Sequence, residues 1–181
     1  MKYRLFLAID LSDTIRDLLD SYRSVRIIDH PRWVPKENYH ITVNFYGNVE
    51  EDKANELSDV LGDITRTVKP FTLTVERVEF APPKRPRMLW GKFRENEGYY
   101  TFVKQTEKII PEKTGIQFGR NKMTPHITLA RFSEPEAVKT ATIPHITIPP
   151  VEVRECHLYS SVLNPSLPPV YTKLRSYSLG R

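Results

Sequence analysis

Polar and apolar residues alternate through Pro125-His126-Ile127-Thr128-Leu129-Ala130-Arg131, the pattern of a strand with one buried face. Successive strand side chains point to opposite faces, so His126, Thr128 and Ala130 share one face while Ile127 and Leu129 take the core side. An imidazole then stands beside a hydroxyl on a solvent-facing surface. His40-Ile41-Thr42-Val43 repeats the arrangement and runs on through Asn44-Phe45-Tyr46-Gly47, which places His40, Thr42 and Asn44 together and ends the strand at Gly47. The two histidines are 86 residues apart (40 to 126), nearly half of the 181 residues, as a duplicated half-domain would give. One copy is an ordinary strand; two matched copies make a symmetric site.

The length suits one compact domain over residues 1–181, in two lobes, with a sizeable core. Hydrophobic content of 39% with 10% aromatics is that of a globular chain. The 27 basic against 22 acidic residues leave +5, a weak pointer to a phosphate-bearing partner. A lone cysteine, Cys156, excludes an internal disulfide and fits a reducing, cytoplasmic setting. The apolar run from Leu5 to Ile9 is too short for a signal peptide, and no segment reaches membrane-spanning length. None of the seven glycines builds a phosphate-cradling loop, so no nucleotide cofactor is expected.

Along the chain, strands are expected at residues 3–9, 71–80, 88–93, 143–148, 151–159 and 170–179 besides the two His-x-Thr segments. Helices are expected at 13–24, capped by Ser12, at 50–67 and at 99–110, with a helical turn at 134–140. Arg32-Trp33-Val34-Pro35 reads as a short edge segment. The basic loop Ala81 to Arg87 is either a solvated connection or the rim of an anion site. The order is neither strictly alternating nor segregated, which indicates an α+β fold with antiparallel sheets facing a shared cleft.

Of the five histidines, His30 and His157 suit a loop and a strand, and none groups with carboxylates or cysteine at metal-ligand spacing. Pro144-His145-Ile146-Thr147-Ile148 is a decoy copy of the motif. Pro149-Pro150 stops it almost at once, and only His126 carries the Leu-Ala-Arg continuation, so His145 is expected to be an exposed strand residue.

Four features together, Arg4 to Ile9, Trp33-Val34 leading to His40-Ile41-Thr42, Arg87 to Trp90, and Pro125 to Arg131, resemble the two-histidine phosphoesterases. The resemblance is to their RNA 2′,3′-cyclic phosphodiesterase branch, also called the 2′-5′ RNA ligase family. It implies a bilobed, pseudo-two-fold α+β fold with helices outside and a metal-free cleft between two antiparallel sheets. It further implies His40 as proton donor, His126 as proton acceptor, and Thr42 and Thr128 as phosphate-binding residues. Val43 stands where the family commonly has Leu, and Pro168-Pro169-Val170-Tyr171 lacks the usual glycine of the C-terminal turn.

The chemistry agrees with these roles. Opening a cyclic phosphodiester needs a base for the attacking water and an acid for the departing ribose oxygen. Histidine, with an ordinary pKa of ~6.5, serves either purpose near neutrality. Each threonine hydroxyl can donate to a non-bridging oxygen as its charge grows. Arg131 can add a charge-assisted bond, but strict alternation turns it to the wrong face unless a bulge intervenes. The expected substrate is RNA with a 2′,3′-cyclic phosphate end, tRNA fragments included, handled by a monomer. The rivals are 2′-5′ joining of tRNA halves, and a non-catalytic RNA-binding module using the basic surface and exposed aromatics.

Overall fold

The computed structural model describes residues 1–24, 31–119, 124–133, 142–164 and 166–180. The first strand, β1 (Lys2–Ile9), buries every residue from Leu5 to Ile9, as a strand with neighbours on both sides and cover on both faces must. It is followed by α1 (Asp13–Asp20), where the Ser12 hydroxyl accepts from the Ile15 amide at 3.4 Å, and by a 3-10 turn, Ser21–Ser24. Next come β2 (Arg32–Trp33), β3 (Ile41–Glu50) and α2 (Glu51–Thr67), whose Leu57, Leu61 and Ile64 form the buried stripe. Then β4 (Phe71–Leu73), β5 (Val75–Ala81) and β6 (Met88–Phe93) lead to α3 (Glu97–Thr114). This helix is capped by Asn96 and closed by Gly115 at φ 70°, a left-handed position that suits glycine. Last are β7 (His126–Arg131), β8 (Val151–Val153), β9 (Glu155–Asn164) and β10 (Leu167–Ser178).

The strands form two four-stranded sheets, β10-β9-β1-β3 and β2-β7-β6-β5, and a small pair, β4-β8. Every pairing is antiparallel. The triplet β9-β1-β3 and the triplet β5-β6-β7 correspond, each with its His-x-Thr strand beside the middle strand. This is the expected α+β, pseudo-two-fold architecture. Among the described residues, no helix is long and apolar enough to cross a membrane.

Several boundaries differ from expectation. Gly47 does not end β3; with φ 72° it sits in a bulge, where Leu5 pairs Gly47 but Phe6 pairs Phe45, and the strand continues to Glu50. Residues 71–80 are two strands in different sheets, because the Thr74 carbonyl is taken by the Arg94 amide. Residues 151–159 divide likewise, with the Arg154 carbonyl accepting from the Leu179 amide at 2.8 Å. Helix α3 is longer than expected and carries Pro111 within it. Residues 143–148 form no strand. Pro144, Pro149 and Pro150 lack amide donors, the Tyr22 hydroxyl takes the Pro144 carbonyl, and Ile148 is buried while His145 and Thr147 face solvent. Strand β10 begins before its prolines, because an edge strand tolerates Pro168 and Pro169 where the ladder is already interrupted. The turn expected at 134–140 lies outside the described residues.

Candidate active site

The two sheets share a cleft of about 770 Å³, within the range of small-molecule sites. Into it β7 sends His126, Thr128 and Arg131, while β3 sends Thr42 and Phe45, with His40 immediately before the strand. Alternation explains the first two positions of each motif, and a bulge explains the third. Leu89 pairs Ala130 but Trp90 pairs Thr128, so β7 carries one extra residue at Leu129. Leu7 pairs Asn44 but Ala8 pairs Thr42, so β3 carries one at Val43. Each bulge brings the sixth residue of its motif back to the cleft: Arg131 in one half, Phe45 in the other.

The same bulge corrects the expectation for Asn44. It does not join His40 and Thr42 but is 2% exposed, with its carboxamide making no hydrogen bond to the described residues.

Both imidazoles are fixed by the backbone carbonyl two residues upstream. His40 Nδ1 lies 2.7 Å from the Asn38 oxygen and His126 Nδ1 lies 2.9 Å from the Thr124 oxygen. A carbonyl only accepts, so Nδ1 carries the proton in each ring and Nε2 is left for chemistry. His40 Nε2 is 3.0 Å from the Thr42 hydroxyl. The His40 ring packs against Phe6 at 5.0 Å and edge-on against Tyr171 at 5.5 Å, while His126 is stacked on Trp90 at 3.8 Å. Burial lowers the His40 pKa; the Asn38 carbonyl and Asp10 oppose that shift, and Arg16 and His126 add to it. Burial in the cleft wall thus favours neutral His40.

The Asn38 carbonyl is itself held in place. Its side-chain amide donates to the Pro169 oxygen at 2.9 Å, and the Arg16 guanidinium on α1 donates to the Lys36 and Glu37 carbonyls just before it. Arg4, Arg32 and Arg131 line the cleft, and no carboxylate does among the described residues. Arg4 also stands 4.4 Å above the Phe45 ring.

The structure therefore brings together His40, Thr42, His126, Thr128 and Arg131. Sequence reasoning did not select Arg4, Arg32, Trp90 or Tyr171 as site residues. Trp90 was findable, since Met88, Trp90 and Lys92 alternate with buried Leu89, Gly91 and Phe93. His145 is exposed and outside the cleft, His30 lies outside the described residues, and His157 is buried on β9 against the Ser176 hydroxyl. Lys84, Arg85 and Arg87 are exposed and do not line the cleft, so their loop is a solvated connection. Cys156 is buried and its thiol is pushed up to about 12, which leaves it unreactive. Among the described residues, no three His, Cys, Asp or Glu side chains group as metal ligands.

The family described as LigT like Phosphoesterase matches residues 7–90, a span holding the first motif and Trp90. The fold superposes on E. coli LigT complexed with 3′-AMP with a TM-score of 0.80, at 27% identity over 100% of both chains. Over that span the chain is similar to the LigT-like phosphoesterases. Among curated relatives of this chain are RNA 2′,3′-cyclic phosphodiesterases of two organisms. That of Methanothermobacter thermautotrophicus is 28% identical over 99% of this chain and 100% of its own. That of Thermotoga maritima is 28% identical over 91% and 90%. E. coli LigT complexed with phosphate has a TM-score of 0.74 to this chain, at 27% identity over 99% of both chains.

Proposed function

We propose that the protein hydrolyses 2′,3′-cyclic phosphate ends of RNA to 2′-phosphomonoesters, using His40 as acid and His126 as base without a metal. The observation that carries this reading is the pair of imidazoles, each with Nδ1 held by a carbonyl, facing one cleft from opposite lobes. The names of the relatives agree with it. With Nδ1 so held, Nε2 of His126 takes a proton from water as the water attacks phosphorus. Nε2 of His40 gives its proton to the departing 3′ oxygen, and the phosphate stays on the 2′ oxygen. The Thr42 and Thr128 hydroxyls donate to the non-bridging oxygens, and Arg131 adds positive charge.

Burial makes His40 a reluctant cation. The bound phosphodiester brings a negative charge beside the ring and draws a proton onto it, so substrate prepares its own acid. The two halves act as one domain in a monomer, in the cytoplasm, with RNA as partner and no cofactor.

The test is turnover of a 2′,3′-cyclic mononucleotide in excess EDTA, with chromatographic identification of the product. The expected product is the 2′-monophosphate alone. No turnover, turnover only with a divalent ion, or a 3′-monophosphate product would overturn the assignment. An inert protein that still bound the nucleotide would match the binding-module reading instead.

A further inference from the structure

Arg32 and Arg131 are direct cross-strand partners where β2 pairs β7, and both line the cleft. Like charges placed opposite each other in a ladder oppose the pairing. Among the described residues neither arginine has a carboxylate partner, and Arg131 donates only to the Met88 sulfur at 3.2 Å. The bulge at Leu129 is what turns Arg131 inward to create the juxtaposition. Two guanidiniums without a carboxylate partner among the described residues are therefore held together at the exposed end of a cleft whose described lining contains no carboxylate. An anion seated between them would remove the repulsion and satisfy both planar donor forks.

Position separates that anion from the reacting phosphate. From Thr128 to Arg131 the strand advances three residues, on the order of 10 Å less what the bulge absorbs. Arg32 lies one strand further out, on the edge of the sheet. Arg32 therefore sits beyond the phosphate held between His40 and His126, toward solvent, and Arg131 stands between the two positions.

We propose that Arg32 and Arg131 form a second phosphate site, which takes the phosphodiester joining the terminal nucleotide to the rest of the RNA strand. The site makes the enzyme a reader of chain ends rather than of free cyclic nucleotides. It rests on the function proposed above, since it supposes a phosphate already seated between the histidines.

The experiment compares binding of a trinucleotide ending in a 2′-phosphate with that of the corresponding 2′-mononucleotide, across a salt series. The proteins are wild type, Arg32→Gln and Arg32→Lys, each first checked by thermal melting. Wild type should prefer the trinucleotide, and Arg32→Gln should lower the trinucleotide-to-mononucleotide affinity ratio about tenfold. Losing one phosphate contact to a single strand should also flatten the trinucleotide's log–log salt slope by about 0.7. Arg32→Lys keeps the charge and should restore the slope. An unchanged ratio in Arg32→Gln, or no trinucleotide preference in wild type, would overturn the second site. The mononucleotide reports the reacting-phosphate site alone. A wild type that binds neither ligand would refute the broader function, whereas an unchanged ratio would refute only the second site.

Discussion

Arg16→Met tests whether the catalytic proton depends on a residue that never touches the cleft. The Arg16 guanidinium donates to three carbonyls, those of Leu11 at 3.1 Å, Lys36 at 2.9 Å and Glu37 at 2.8 Å. It thereby ties α1 to the turn whose next residue, Asn38, holds His40. At a net value of roughly 1 kcal/mol per bond, the three contribute about 3 kcal/mol. For a chain of this size that predicts a melting temperature lower by roughly 6–12 °C. If the turn moves, His40 moves with it, and a displacement near 1 Å costs on the order of 10² in rate. The hypothesis is that Arg16→Met lowers kcat by between roughly tenfold and a hundredfold with KM little changed. A second readout follows from charge. Arg16 helps hold the His40 pKa down, so its removal should move the alkaline limb of kcat/KM, where the acid loses its proton, to higher pH. Arg16→Lys keeps the charge but not the fork, and should restore the limb without restoring kcat. Steady-state kinetics across pH, with thermal melts, decide the matter. Unchanged kcat with a raised KM would mean that Arg16 binds substrate, and an unaltered profile with wild-type kcat would refute the positioning argument.

Two further outcomes are expected. His40→Ala and His126→Ala should each lose on the order of 10²–10⁴-fold in turnover with the fold intact, while His145→Ala stays within a few-fold of wild type; exchange of the His126 and His145 results would undo the site in the second half. Burial holds both His40 and His157 below the ordinary histidine value, so each binds its proton more readily when unfolded. Their stabilisation is complete above about pH 6.5 and is lost as pH falls toward the folded values, so the urea midpoint should drop between pH 7.5 and 5.5. A midpoint that rises over that interval would contradict the sign.

What the sequence made legible was whatever followed a strict period. His40, Thr42, His126 and Thr128 come before either bulge, so alternation alone aims them at the cleft. Asn44 comes after a bulge and was misplaced, and Arg131 reaches the cleft only because of one. Neither Val43 nor Leu129 has the character of a bulge residue. The extra residue is defined by a count against the partner strand, which a single segment does not contain. Ile143 to Ile148 failed for a different reason. Its alternation is real and buries Ile148, but the flanking prolines remove the amides that a ladder would use, and packing without pairing produces the same pattern. Arg32 was visible as a residue but not as a site, because its meaning depends on Arg131 lying directly across from it.

The hairpin of β9 and β10 has a consequence for solubility. Strand β10 is an edge, and it exposes Leu167, Val170 and Leu174 at 65%, 63% and 46%. A long edge of that composition is a template on which another chain could add a strand and begin to aggregate. Pro168 and Pro169 present no amide to such a strand, and the register slips twice, between Leu167 and Val170 and between Lys173 and Arg175. Lys173 and Arg175 further down put charge along the same edge. An incoming strand would meet missing donors, a broken spacing and positive charge in turn, each of which opposes edge-to-edge addition along the apolar hairpin beside the cleft.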